Sequence, residues 1–312
     1  MNNEQYLILG GEKKWGSGKV LTKILLHAQH SNINYKFLST NGLFFSWQIL
    51  FKLIKTQRKI IFQPSVARFS ILRDLIIFII FLLFKKKYSL LILCDINFSN
   101  FPFILELIAK NQLCVRVFTP ANVEYVHPDR QTIFSQNEIS QKFQFDETKY
   151  KYNQRDIIFV YGNYLTKDKG LYDFLSLIDN GEIKNYLIFG SGKISEKIKA
   201  KYNIEIVKND IEFKRRIEKI SKFDSFFYFG SRYDLAPLVI EECVMQNVPI
   251  CCGKQKKSYS ILKNFIGKES FLNFHEVKMR PSQKKIKLIT ENAYKSLSKG
   301  SLGRIFNLKH EI

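Results

Sequence analysis

Short apolar runs that stop at glycine, each followed by a helical stretch, recur along this chain and restrict its fold more than any other feature. Tyr6 to Leu9 ends at Gly10 and Gly11, and Val20 to Gln29 then reads as a helix. Ser89 to Cys94 precedes the helical Asn97 to Ala109, and Leu113 to Phe118 precedes a polar loop. After a stretch rich in Gln, Asn and Lys from Phe134 to Arg155, the pattern restarts. Asp156 to Tyr161 stops at Gly162, Gly170 to Ile178 is helical, Tyr186 to Phe189 stops at Gly190, and Ile194 to Tyr202 is helical. Ile204 to Val207, Phe226 to Phe229 and Val248 to Cys252 add buried strands, with a helix from Pro237 to Gln246 between the last two. Strands that alternate with helices demand a parallel sheet covered on both faces. Two such sets in 312 residues predict two Rossmann-like α/β domains facing each other across a cleft, with the boundary at 152/153.

Five cysteines, at 94, 114, 243, 251 and 252, form no C-x-x-C pair and sit mostly in apolar runs, which suits a reducing, cytosolic compartment. No leader is expected from Met1 to Leu9. The longest uncharged apolar run, Leu75 to Phe84, has ten residues, where a membrane-spanning helix needs about 20. The formal charge of +21 calls for an anionic partner. From Phe44 to Lys87 nine basic residues (52, 55, 58, 59, 68, 73, 85, 86, 87) stand against Asp74, interleaved with Trp47, Phe51 and other apolar residues. That segment reads either as an interfacial helix with a basic flank or as a core helix with a solvated basic end.

The segment Ser231 to Pro249, SRYDLAPLVIEECVMQNVP, places Asp234 in a loop after a strand and Glu242 eight positions later in a helix. Pro237 can stand at that helix start without wasting an N–H, and the free N–H groups of a first turn suit a phosphate. Read alone, two acids eight apart are an ordinary acidic helix start.

The whole arrangement, however, resembles the donor-binding signature of glycosyltransferase family 4, retaining enzymes of the two-domain GT-B fold that use nucleotide sugars. VYGNYLTKDKGLYDFL (Val160 to Leu175) is similar to that family's Gly-Arg-Leu…Lys-Gly element, and YLIFGSG (Tyr186 to Gly192) to its strand ending in Gly-x-Gly. The resemblance implies an acceptor-binding domain over 1–152 and a nucleotide-sugar domain over 153–312. It implies that Lys169 meets the donor phosphates, that Gly190 and Gly192 let backbone approach the nucleotide, and that Asp234, Leu235, Ala236 and Glu242 hold the donor. Asp234 would contact the transferred sugar and Glu242 the ribose, the two carboxylates serving as the catalytic pair. Gly16 and Gly18 resemble the family's glycine-rich phosphate and acceptor loop. The chain departs from the pattern at Asn163 and Tyr164, where the family carries Arg, at Asp234 for Glu, at Asn247 for Gly, and at Ala121 for the His of His-Asn-Val-Glu.

No D-x-D occurs, and the five histidines form no ligand cluster, so neither metal nor other cofactor is expected. The implied activity moves a sugar to a lipid-linked or membrane-associated glycan in bacterial surface polysaccharide assembly, such as lipopolysaccharide, O-antigen or capsule. The implied place is the inner face of the cytoplasmic membrane, held by its anionic surface. The alternative is a non-catalytic GT-B binding protein. With no recognition motif and the charge split +10 and +11 over the halves, no nucleic-acid partner is expected.

Overall fold

The computed structural model describes residues 5–11, 17–40, 47–64, 70–93, 102–120, 126–133, 143–148, 150, 157–232, 234 and 237–298. They divide into two compact units, one up to Glu138 and one from Ile139 to Lys299.

The first unit runs β1 (Tyr6–Gly10), α1 (Ser17–His30), β2 (Tyr35–Ser39), α2 (Trp47–Lys55), β3 (Lys59–Phe62), α3 (Ser70–Leu83), β4 (Tyr88–Leu91), α4 (Pro102–Lys110), β5 (Cys114–Thr119) and β6 (Gln131–Ile133). All strands are parallel, in the order β2-β1-β3-β4-β5-β6. Strands β1 and β4 are buried along their whole length, as a sheet covered on both faces requires. β2 is an edge strand of alternating exposure and β3 opens on a lysine, so neither shows the continuous apolar run that marks the inner strands.

Helix α3, in the basic segment, has one buried face and one exposed face. Ile77, Phe78 and Phe81 are buried, with Phe81 stacked on Tyr88 at 4.8 Å between ring centres. Its two charged residues also point inward: Arg73 Nε donates to Asp74 Oδ1 at 2.9 Å, and Arg73 Nη1 donates to the Thr40 carbonyl. The outward face is therefore left to Leu72, Ile76, Ile79 and Leu83, all exposed at helical spacing.

The second unit runs β7 (Ile158–Gly162), α5 (Leu171–Asp179), β8 (Tyr186–Gly190), α6 (Glu196–Lys201), β9 (Glu205–Ile206), α7 (Asp210–Ile220), β10 (Ser225–Phe229), α8 (Leu238–Met245), β11 (Ile250–Cys252), α9 (Lys256–Ile266), β12 (Leu272–Asn273), α10 (Phe274–Lys278) and α11 (Gln283–Ser298). Its parallel order is β12-β11-β10-β7-β8-β9. Successive residues feed opposite cores: Phe159, Tyr161, Phe226 and Tyr228 pack with α5, whereas Val160, Phe227 and Phe229 pack with α7 and α8.

The two units divide at 138/139, inside the polar stretch from Phe134 to Arg155. Phe143 packs on Tyr294 at 5.6 Å and Tyr150 on Phe226 at 5.6 Å, while the Tyr150 hydroxyl donates to the Ser225 carbonyl at 3.1 Å. These aromatics tie the end of the polar stretch to the second unit. Four cysteines, 114, 243, 251 and 252, are buried free thiols. Among the described residues, no helix is long and apolar enough to cross a membrane.

Candidate functional site

The chain leaves β7 toward β8 on one side and returns through β10 on the other, so β7 and β10 are neighbours whose following helices belong to opposite cores. In a doubly wound sheet, ligands bind beyond the carboxyl ends of such a pair of strands. Lys169 stands on the loop after β7, at the end of the 3₁₀ turn Lys167–Lys169, and Asp234 on the loop after β10. Lys169 Nζ donates to both carboxylate oxygens of Asp234, the two side chains being 12% and 16% exposed. Ser231 Oγ donates to Asp234 Oδ2 at 2.7 Å. Two residues singled out separately in the sequence, 65 positions apart, thus form one ion pair.

The loops can meet because glycine stands on both. Gly170 has φ +83°, and a β-carbon there would come within 2.5 Å of the Gly230 carbonyl oxygen. The contact is stitched by Arg232 N–H donating to the Asp168 carbonyl at 3.1 Å. The Arg232 guanidinium reaches Asp173 on α5 at 3.2 Å, and its Nε is buried with no hydrogen-bond partner among the described residues. Neither Arg232 nor Ser231 was foreseen. The signal available was their place directly before Asp234.

Glu242 is half-buried on α8, and its neighbour Glu241, also not foreseen, is fully buried in the first turn. Helix α8 begins at Leu238 with Pro237 as its N-cap, one residue later than expected. Gly190 closes β8, and Gly192 follows with φ +124°. The two loops run together: Leu165 N–H donates to the Ser191 carbonyl at 2.9 Å, and Asn163 N–H to the Phe189 carbonyl at 3.3 Å. Gly18 is the second residue of α1 in the first unit. Gly16, Leu235, Ala236 and Ala121 lie outside the described residues. His127 is exposed and caps the turn Pro128–Arg130, its Nδ1 accepting from Asp129 N–H at 3.4 Å. Among the described residues no group of three or more His, Cys, Asp or Glu is placed to hold a metal ion.

No family model and no curated protein matches the sequence. Solved structures do match the fold. An α-glucosyltransferase in complex with UDP and a mismatched 13-mer DNA aligns with a TM-score of 0.54 at 12% identity over 96% of both chains. Staphylococcus aureus MnaA with UDP aligns at 0.56 and 12% identity, over 97% of this chain and 95% of that one. The lipopolysaccharide outer core galactosyltransferase WaaB in its apo form aligns at 0.51 and 9%, over 94% and 99%. With two parallel six-stranded Rossmann-like sheets and these neighbours, the chain has the two-domain GT-B fold.

One expectation is overturned. The chain was expected to have no nucleic-acid partner because it lacks a recognition motif, yet a protein of this fold is bound to DNA. Contacts from Lys and Arg to phosphates are independent of sequence and need no linear motif, so the lack of one does not exclude such a partner.

Proposed function

We propose that this protein is a glycosyltransferase that takes its sugar from a nucleoside diphosphate donor held by the second unit. The observation that carries the reading is the Lys169–Asp234 pair at the β7/β10 switch point, where a cation and a carboxylate meet four residues before α8 begins in sequence. Arg232, with its unused buried N–H, supplies the second cation that Asn163 and Tyr164 do not. Lys169 and Arg232 meet the diphosphate, Asp234 orients Lys169 and accepts from the sugar, and Glu242 accepts from the ribose hydroxyls. In the family 4 mechanism that the sequence resembles, transfer retains configuration. A solved neighbour acts on the lipopolysaccharide outer core, which favours a surface glycan as acceptor.

Titration with UDP, GDP, ADP and the parent nucleosides tests this. One diphosphate is expected to bind, and Lys169→Ala to weaken it at least about tenfold while leaving the nucleoside nearly unchanged. Equal losses for diphosphate and nucleoside would remove Lys169 from the phosphate site.

For location, the reading is peripheral attachment through the outward face of α3. Leu72, Ile76, Ile79 and Leu83 are exposed there, Lys85 to Lys87 follow, and α3 packs beside α4, whose Phe103 and Leu107 are exposed as well. An apolar stripe with a basic end suits an anionic bilayer, each lysine near the surface contributing about 1 kcal/mol. The protein is expected to sediment with anionic vesicles at low salt, and Leu83→Asp with Phe103→Asp to remove the part that survives high salt. Retention by a DNA duplex instead of vesicles would assign the basic surface to nucleic acid.

A further inference from the structure

Beyond the ends of β11 and β12, which pair side by side, lies a cavity of about 660 Å³ whose walls include Cys252, Lys254, Lys256, Tyr259, Phe274 and Lys278. It shares no lining residue with the Lys169–Asp234 pair. Its charge is unbalanced. Lys254 and Lys278 both lie over the Phe274 ring, at 5.4 and 5.8 Å from its centre, and Glu182, bonded to Lys254 at 2.8 Å, is the one acid on the wall. Lys256 has no carboxylate within ion-pair distance among the described residues. Three lysines against one glutamate leave 3 − 1 = +2 around the cavity.

Gln255, Asn273 and His275 add neutral polar groups to the wall, and Cys252, Tyr259 and Phe274 supply its apolar part. Phe274 forms a buried floor, and Tyr259, half exposed, stands edge-on to Phe271 at 5.4 Å. Burial pushes the Cys252 thiol up to about 12, so it acts as a neutral surface. Lys256 opens α9, and the N-cap residue Gln255 gives no side-chain cap there because its amide donates to Asp173 at 2.5 Å. The first-turn N–H groups therefore add to the positive lining.

We infer that this cavity binds a small phosphate ester, its anion among Lys254, Lys256 and Lys278 and its sugar ring against Tyr259. A phosphate monoester carries about −1.5 to −2 charges at neutral pH, which matches the excess on the wall. A volume of about 660 Å³ is of the size that takes a small ligand such as a sugar phosphate. Ser258, in the first turn of α9, donates to the Ser231 carbonyl at 2.9 Å, so the helix that carries Lys256 and Tyr259 is bonded to the loop that carries Asp234.

Calorimetric titration with glucose 1-phosphate, with glucose, and with a short DNA duplex tests the site without requiring any transfer activity. Glucose 1-phosphate is expected to bind and glucose not to. Lys256→Ala with Lys278→Ala is expected to weaken the phosphate ester by about a hundredfold, each charged contact accounting for about tenfold. Lys169→Ala is expected to leave this binding intact. Both cavity lysines are exposed, and an unchanged melting temperature of the double variant would confirm its fold. The inference is overturned if the wild type fails to bind glucose 1-phosphate. It also falls if Lys169→Ala rather than the cavity variant abolishes binding, or if the cavity variant loses only the DNA duplex.

Discussion

Asp234→Ala is expected to lower sugar transfer by about a hundredfold or more and to destabilise the second unit by about 1 to 3 kcal/mol. Removing one partner of a fully buried ion pair costs about 3 to 5 kcal/mol, because the other charge is left without compensation. Lys169 and Asp234 keep 12% and 16% exposure, so water screens part of that cost and the lower range applies. The substitution also takes the acceptor away from the Ser231 hydroxyl. Transfer should suffer more than stability, because an unheld lysine no longer meets the developing charge on the leaving diphosphate from a fixed position. A double-mutant cycle separates the two effects. Lys169→Met with Asp234→Ala should be less destabilised than the sum of the single changes, since the double variant contains no orphaned charge. Additive losses in urea unfolding would show that the two side chains do not act as a pair. Wild-type stability of Asp234→Ala would show the same.

The legible part of this molecule was its inner strands and the placing of Asp234 on a loop and Glu242 on a helix. Tyr6 to Gly10, Ile158 to Gly162 and Ser225 to Phe229 are buried on both faces, and burial on both faces writes an uninterrupted apolar run into the sequence. β2 and β3 escaped because one is a half-exposed edge and the other lies inside a basic stretch. The attachment of the end of the polar stretch was not legible for a related reason. Three isolated aromatics, Phe143, Phe145 and Tyr150, anchor it to the second unit without forming any periodic pattern. At the site, Lys169 and Asp234 were each named, but their pairing depends on β7 and β10 being neighbours, a topological fact that no local pattern carries. Arg232 was hidden among 49 basic residues for the same reason. The cavity beyond β11 and β12 gathers Glu182 and residues from the stretches Cys252 to Tyr259 and Asn273 to Lys278, none of which forms a motif alone.

Gly190→Ala is expected to be among the most destabilising single substitutions in the chain, by about 3 kcal/mol or more. A β-carbon at position 190 would overlap the carbonyl oxygen of Asn163. A flexible side-chain tip could turn away from such a contact, but this oxygen belongs to the backbone immediately after β7. It cannot move without its loop. That loop is fixed by the Asn163 N–H bond to Phe189 and the Leu165 N–H bond to Ser191, and it leads within a few residues to Lys169. The strain should therefore appear twice, as lost stability and as weakened binding of nucleoside diphosphate. Gly181→Ala provides the control. Gly181 has φ +70° and nothing within 4 Å of the added carbon, so only the backbone cost of about 1 to 2 kcal/mol is expected, with nucleotide binding unchanged. Urea unfolding of both variants, with diphosphate titration beside it, decides the matter. If Gly190→Ala unfolds within about 0.5 kcal/mol of the wild type, the size of an ordinary surface change, the two loops are not held in contact at this glycine.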